Sequence, residues 1–178
     1  FKQKTAYEIL TCDWSSDVCS SDLSRNKLEA RAAFSRAGLP TPAFRECAVS
    51  DDPHEIGATL SYPCVIKPLA LSGSRGVMRV DSAAGFNEAF ERLRRILDAP
   101  DVRTEQDASH ASVLVEAFIP GREFAIEGVL DRGAFRAFAI FDKPDPLDGP
   151  FFEETIYVTP SRATADEQRQ IKIGRAHV

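Results

Sequence analysis

Tyr62 to Val77 reads YPCVIKPLALSGSRGV. A short apolar run, Cys64-Val65-Ile66, ends in Lys67-Pro68. A small-residue loop, Ser72-Gly73-Ser74-Arg75-Gly76, then leads into a second apolar run, Val77-Met78-Arg79-Val80. Glycines let backbone N–H groups converge on an anion because no Cβ stands in the way. A lysine on the preceding strand adds a positive charge that a polyphosphate can use. In the Walker-type phosphate loop the lysine follows the glycines and opens a helix. Here it precedes them and a strand follows. The order predicts strand, lysine, glycine hairpin and strand, a flap that closes over a nucleotide. An ordinary Gly-Ser hairpin beside a surface lysine shares the same pattern.

Upstream of the flap, Asn26 is placed to cap a helix over Lys27 to Ala37. Gly38 stops it, and Leu39-Pro40-Thr41-Pro42 forces an extended exit. Ala43 to Val49 reads as a strand and Asp52 to Leu60 as a short helix entered near Pro53. Downstream, Phe86, Ala89, Phe90, Leu93 and Leu97 mark one face of an amphipathic helix over Ser82 to Leu97. The polar stretch Asp98 to His110 reads as a loop. Strands are predicted over Ser112 to Phe118, Glu123 to Leu130 and Ala134 to Phe141, the last two joined by an Asp131-Arg132-Gly133 turn. Asp142 to Pro150 is a proline-rich loop, Phe151 to Thr159 reads as a further strand, and Thr164 to Glu167 is a capping box. Helices mixed with mostly antiparallel strands make the fold class α+β.

A second signal lies in Val113 to Glu127, VLVEAFIPGREFAIE. Glu116 and Glu123 are separated by an apolar piece and a Pro-Gly turn. A strand end before a turn exposes backbone N–H and C=O groups that suit the edge of a purine, and a carboxylate a few residues on can accept both ribose hydroxyls. Alone, the same segment reads as a surface hairpin with solvated acids.

Composition limits the alternatives. The formal charge is −5, with 22 Lys and Arg against 27 Asp and Glu. No basic block occurs, which argues against a nucleic-acid partner. No apolar run approaches membrane-spanning length. Residues 1–23 have no clear period and resemble the conceptual translation of a sequencing adapter. Ile173 to Val178 back-translate to the start of the matching adapter. Residues 24–171 are thus expected to be the biological part, an internal fragment of a longer reading frame. Of the four Cys, only Cys47 and Cys64 fall in that part, with no CxxC pair and no His cluster, which predicts a reducing compartment and no Cys/His metal site.

Three segments occur in the order and spacing of the ATP-grasp superfamily: RNKLEARAAFSRAGLPTP from Arg25, IKPLALSGSRGV from Ile66 and VEAFIPGREFAIEG from Val115. The resemblance covers nearly all of residues 24–171 and implies a partial ATP-grasp fold. Its expected parts are a small flap subdomain over about 39–110, a hinge over 113–123 and the start of a larger antiparallel sheet over 123–171, with 1–23 and 172–178 outside the fold.

Position by position, the resemblance implies an ATP site. Lys27 matches the lysine that opens the grasp domain and reaches the phosphates, and Lys67 the lysine on the strand before the flap. Gly73, Ser74 and Gly76 match the flap over the β- and γ-phosphates. In the hinge of Glu116, Ala117, Phe118 and Ile119, backbone groups of Ala117 and Ile119 would hold adenine, with Phe118 flanking it. Glu123 matches the ribose-binding acid. Lys143 sits roughly where the peptide-ligase branch has a third phosphate-facing lysine, and Glu153 and Glu154 are candidates to line the acceptor pocket.

The implied reaction is a carboxylate–amine ligation through an acyl phosphate, with ATP and Mg²⁺ as cofactors and a small carboxylate and amine as substrates. The metal-binding acids are expected beyond residue 171, and no catalytic side chain is assigned. With the composition, the expectation is a cytoplasmic protein without membrane or nucleic-acid partners, with room for a homodimer of the full-length protein. Two alternatives stand beside it: a biotin-carboxylase-like subunit of the same superfamily, and an ATP-binding module without chemistry.

Overall fold

The computed structural model describes residues 25–132, 134–145, 148–152 and 156–175. The segment 1–23, the turn residue Gly133 and the candidates Glu153 and Glu154 lie outside the described residues.

Helix α1 (Lys27–Arg36) starts where Asn26 accepts hydrogen bonds from the amides of Leu28 and Glu29, satisfying donors that the first helical turn leaves unpaired. It ends before Gly38, whose φ of +72° suits a residue without a Cβ. Strands β1 (Phe44–Ala48), β2 (Cys64–Pro68), β3 (Met78–Val80) and β4 (Ser112–Ala117) form one antiparallel sheet in the order β1-β4-β2-β3. Side chains alternate between its faces. Cys47, Cys64, Ile66, Met78, Val80, Val113 and Val115 enter the hydrophobic core with helices α2 (Pro53–Thr59) and α3 (Ala83–Leu97). Val65, Lys67, Leu114 and Glu116 take the other positions of the alternation and stand on the opposite face, where Arg31 of α1 reaches Glu116.

Helix α3 buries Phe86, Ala89, Phe90, Leu93 and Leu97, the stripe its period predicts. Ser82 caps it by accepting from the Gly85 amide at 3.2 Å.

Two sequence expectations need correction. Asp98 to His110 is not all loop: it contains helix α4 (Pro100–Arg103) and a 3₁₀ turn over Ala108–Ala111. Pro100 occupies the first turn of α4, where its missing N–H costs nothing, and Val102 is fully buried. Nor do the described residues of 151–159 form a strand. They make only two isolated bridges, Phe151 with Met78 and Val158 with Asp142. Pro150 and Pro160 flank this stretch, and proline cannot donate to a sheet ladder.

Strands β5 (Phe124–Asp131) and β6 (Ala134–Asp142) make a separate two-stranded antiparallel sheet. Helix α5 (Ala165–Arg175) opens with the expected capping box. The Thr164 amide donates to Glu167 Oε2 at 2.7 Å, and the Glu167 amide donates to Thr164 Oγ1 at 3.2 Å. The helix continues past Ile171 to Arg175.

Candidate functional site

Lys27 is the first residue of α1, and backbone contacts tie it to the segment that enters the flap. Its amide donates to the Leu69 carbonyl at 3.0 Å, while its ammonium donates to the carbonyls of Leu71 at 2.7 Å and Leu69 at 3.3 Å. Burial lowers the Lys27 pKa from its ordinary value. The positive charge of Lys67 lowers it further and Arg31 contributes in the same direction, while Glu116 opposes them.

Glu116 is the one buried charged or polar residue among the described residues, only 4% exposed. Its carboxylate is divided between two cations. Oε1 accepts from Arg31 Nε at 2.6 Å, and Oε2 is paired with the Lys67 ammonium. The sheet register explains the second contact: Val65 lies opposite Glu116 and Lys67 opposite Leu114, so Lys67 and Glu116 are diagonal neighbours on one face. Arg31 and Lys67 thus share a single carboxylate, and Lys27 stands within electrostatic reach of all three. The surplus is positive.

The flap turns at Gly73, Ser74 and Gly76, with φ values of +62°, +55° and +77°. Its base is packed, since a Cβ on Gly76 would stand 2.8 Å from Leu93 Cδ1. A Cβ on Gly73 would meet nothing within 4 Å. The tip is tied down by Arg75, whose guanidinium holds both carboxylate oxygens of Asp101 at 2.5 and 3.3 Å. Arg25, Lys27, Ser72, Gly73 and Ser74 line a cleft of about 800 Å³, with Glu105 and Asp107 also on its wall. The structure thus brings Lys27 and two of the flap candidates to one cleft. Lys67 and Glu116 stand beside Lys27 but do not line that cleft.

At the end of β4, the Ala117 amide donates to the Ala43 carbonyl at 2.9 Å and the Phe118 amide to the Pro63 carbonyl at 3.2 Å. These two donors are already engaged. Phe118 lies under the Arg79 guanidinium, 4.3 Å from its ring centre, and Ile119 is exposed. Glu123 is paired with the Lys143 ammonium, which also stands 5.3 Å from the centre of the Tyr157 ring. Lys143 therefore contacts the expected ribose carboxylate.

A strand-borne lysine before a glycine flap thus lies within electrostatic reach of a second lysine at a helix start. Residues 60–177 match the ATP-grasp domain family. This chain belongs to the ATP-grasp family. Among its relatives, the D-alanine–D-alanine ligase of Marinobacter nauticus is 35% identical over 117 residues, 66% of this chain and 32% of the relative. The alanine–anticapsin ligase of Bacillus amyloliquefaciens is 26% identical over 166 residues, 86% of this chain and 34% of the relative. The solved L-amino acid ligase from Bacillus licheniformis superposes with a TM-score of 0.71 at 27% identity, covering 91% of this chain and 38% of that one. The chain spans about a third to a half of the length of the curated relatives it matches.

Mg²⁺ is implied by the ATP-grasp resemblance. Among the described residues no three His, Cys, Asp or Glu side chains converge, so these residues do not form a metal centre by themselves. Sequence reasoning did not single out Arg31, the arginine that pairs with Glu116. Arg31 lies four residues after Lys27, one helical turn along the same face of α1, and that spacing was the available signal.

Proposed function

We propose that this chain is the nucleotide-gripping part of an ATP-dependent carboxylate–amine ligase. One observation carries the reading: Lys27 lines the cleft of a glycine flap within electrostatic reach of Arg31 and Lys67, which share one buried carboxylate. An excess of fixed positive charge in a partly buried site stabilises a polyphosphate without reorganisation at the moment of reaction. The glycines of the flap admit close approach of the phosphate oxygens to the backbone.

In this reading Lys27 and Lys67 grip the phosphates and the flap amides of Gly73, Ser74 and Gly76 cover them. Ala117 meets the adenine through its carbonyl, because its amide is bonded to Ala43, and Ile119 contributes its amide. Glu123, steadied by Lys143, accepts the ribose hydroxyls. A carboxylate oxygen of the first substrate attacks the γ-phosphorus and ADP leaves. The amine of the second substrate then attacks the acyl carbon and phosphate leaves. The ligase activities of the relatives support the ligase branch over the biotin-carboxylase-like alternative. The chain's own residues contribute positioning and charge to these steps, and a bound Mg²⁺ would supply further charge neutralisation. Two free buried cysteines support a cytoplasmic setting, and no described helix is long and apolar enough to cross a membrane.

The test is calorimetric titration of the full-length protein with ATP. Lys67→Ala removes one charge-assisted contact and should cost about 1.5–3 kcal/mol of binding. Unchanged affinity would remove Lys67 from the site. ADP release that requires both a carboxylate and an amine identifies a ligase, and binding without turnover under any such pair identifies a module that has lost the chemistry.

A further inference from the structure

We propose that Arg31 and Glu116 are positioning residues that aim Lys67 at the phosphate chain. The inference rests on the reading of this site as a polyphosphate grip. A buried carboxylate is unfavourable unless it is paired and hydrogen-bonded, and Glu116 meets that condition with opposite partners on its two oxygens. Lys67 carries its charge on a flexible four-carbon stem, so the ammonium has no fixed place of its own. Oε2 of Glu116 supplies one. Arg31 in turn holds Oε1 at 2.6 Å through Nε, from a helix 85 residues away in the chain. With that oxygen occupied, the carboxylate is held in the orientation that serves Lys67.

The same carboxylate sits at the start of the hinge. Glu116 runs directly into Ala117, Phe118 and Ile119, so the residue that fixes the phosphate lysine also begins the segment assigned to the base. Lys27 belongs to the same electrostatic group, since its amine responds to Lys67, Glu116 and Arg31 together. The acid fixes Arg31 and Lys67 directly, while Lys27 is held by the carbonyls of Leu69 and Leu71.

The sign of one substitution separates this role from a background charge. Coulomb's law alone says that neutralising Glu116 makes the site more positive and tightens anion binding. A positioning role says that binding weakens, because the Lys67 ammonium loses its fixed place. The full-length protein and its Glu116→Gln, Arg31→Met and Arg31→Lys variants are titrated with inorganic tripolyphosphate, ATP and adenosine. Glu116→Gln and Arg31→Met should each lose about tenfold or more in affinity for tripolyphosphate and ATP, adenosine binding should hold in Arg31→Met, and Arg31→Lys should recover part of the loss. Glu116→Gln binding tripolyphosphate as tightly as wild type, or more tightly, overturns the proposal. So does a parallel loss of ATP and adenosine in Arg31→Met, which marks a general structural role. Should Glu116→Gln fail to fold, the arginine pair decides, and unchanged tripolyphosphate affinity in Arg31→Met overturns it. A wild-type protein that binds neither ATP nor tripolyphosphate is a different result: it overturns the nucleotide site itself and this inference with it.

Discussion

Arg75 at the tip of the flap grips Asp101 with both arms of its guanidinium, at 2.5 and 3.3 Å. Asp101 lies in the first turn of α4, and the neighbouring Val102 is buried. The flap tip is therefore fastened to an element that the core holds in place. Its own small residues offer no apolar anchor.

The ion pair should govern flap opening. Asp101→Asn should speed amide hydrogen exchange across residues 72–76, and added salt should do the same in the wild type, because both partners are partly exposed and screened. Equal exchange in wild type and variant would show that the glycine turns alone hold the flap.

A pH dependence follows from the same pair. The hydrogen bond from Arg75 holds the Asp101 carboxyl below its usual range. A depressed folded-state pKa contributes stability that is complete above the ordinary aspartate value. That contribution is lost as pH falls through the depressed value. Flap exchange should accordingly rise on acidification in the wild type and stay flat, relative to other loops, in Asp101→Asn. NMR titration of the Asp101 carboxyl carbon checks the direction.

Lys27→Ala should loosen the approach to the flap as well as weaken phosphate binding. The substitution deletes the ammonium that the carbonyls of Leu69 and Leu71 share. Leaving a part-buried acceptor without its donor costs about 1–3 kcal/mol. Denaturant unfolding measures that cost. A variant as stable as wild type would mean that water replaces the ammonium there.

The two flap glycines with φ above +60° should respond differently to alanine. At Gly73 the added methyl enters open space, so only the left-handed backbone opposes it, about 1–2 kcal/mol. At Gly76 the methyl also meets Leu93 Cδ1 at 2.8 Å and Pro68 Cδ at 3.4 Å. Gly76→Ala should therefore lower the melting temperature more than Gly73→Ala. The reverse order would contradict the packing at the flap base.

Leu93 is fully buried beneath the same turn. Leu93→Ala should destabilise the protein by about 2–5 kcal/mol, the range for a truncated core leucine. Because the lost methyls include the one facing Gly76, flap exchange should rise beyond what the stability loss alone produces. Exchange that rises in proportion to global stability would separate the flap from the core.

Much of the local structure was legible in the sequence because local rules decide it. The stripe of Phe86, Ala89, Phe90, Leu93 and Leu97 has the helical period, and a helix of that length has one apolar face to bury. Asn26, Ser82 and Thr164 carry the short side chains that reach the unpaired amides of a first turn, and all three do so. The residue types of the grasp signature, a lysine before a glycine flap and an acid before a Pro-Gly turn, could be read directly. Segment 98–110 was misread because its polarity outweighed two small signals, Pro100 at a helix start and Val102 aimed inward.

The partners of the charged residues were decided only by the tertiary structure. Arg31 and Glu116 are 85 positions apart and Arg75 and Asp101 are 26 apart, separations at which chain order says nothing about proximity. Lys67 and Glu116 meet because β2 and β4 pair antiparallel in one register, and a shift of one residue would send Glu116 to the opposite face, into the apolar core. An ammonium or guanidinium can satisfy itself with water, a carbonyl or any carboxylate within reach. Which of these it takes is settled by packing, and packing here placed a single buried acid between Arg31 and Lys67.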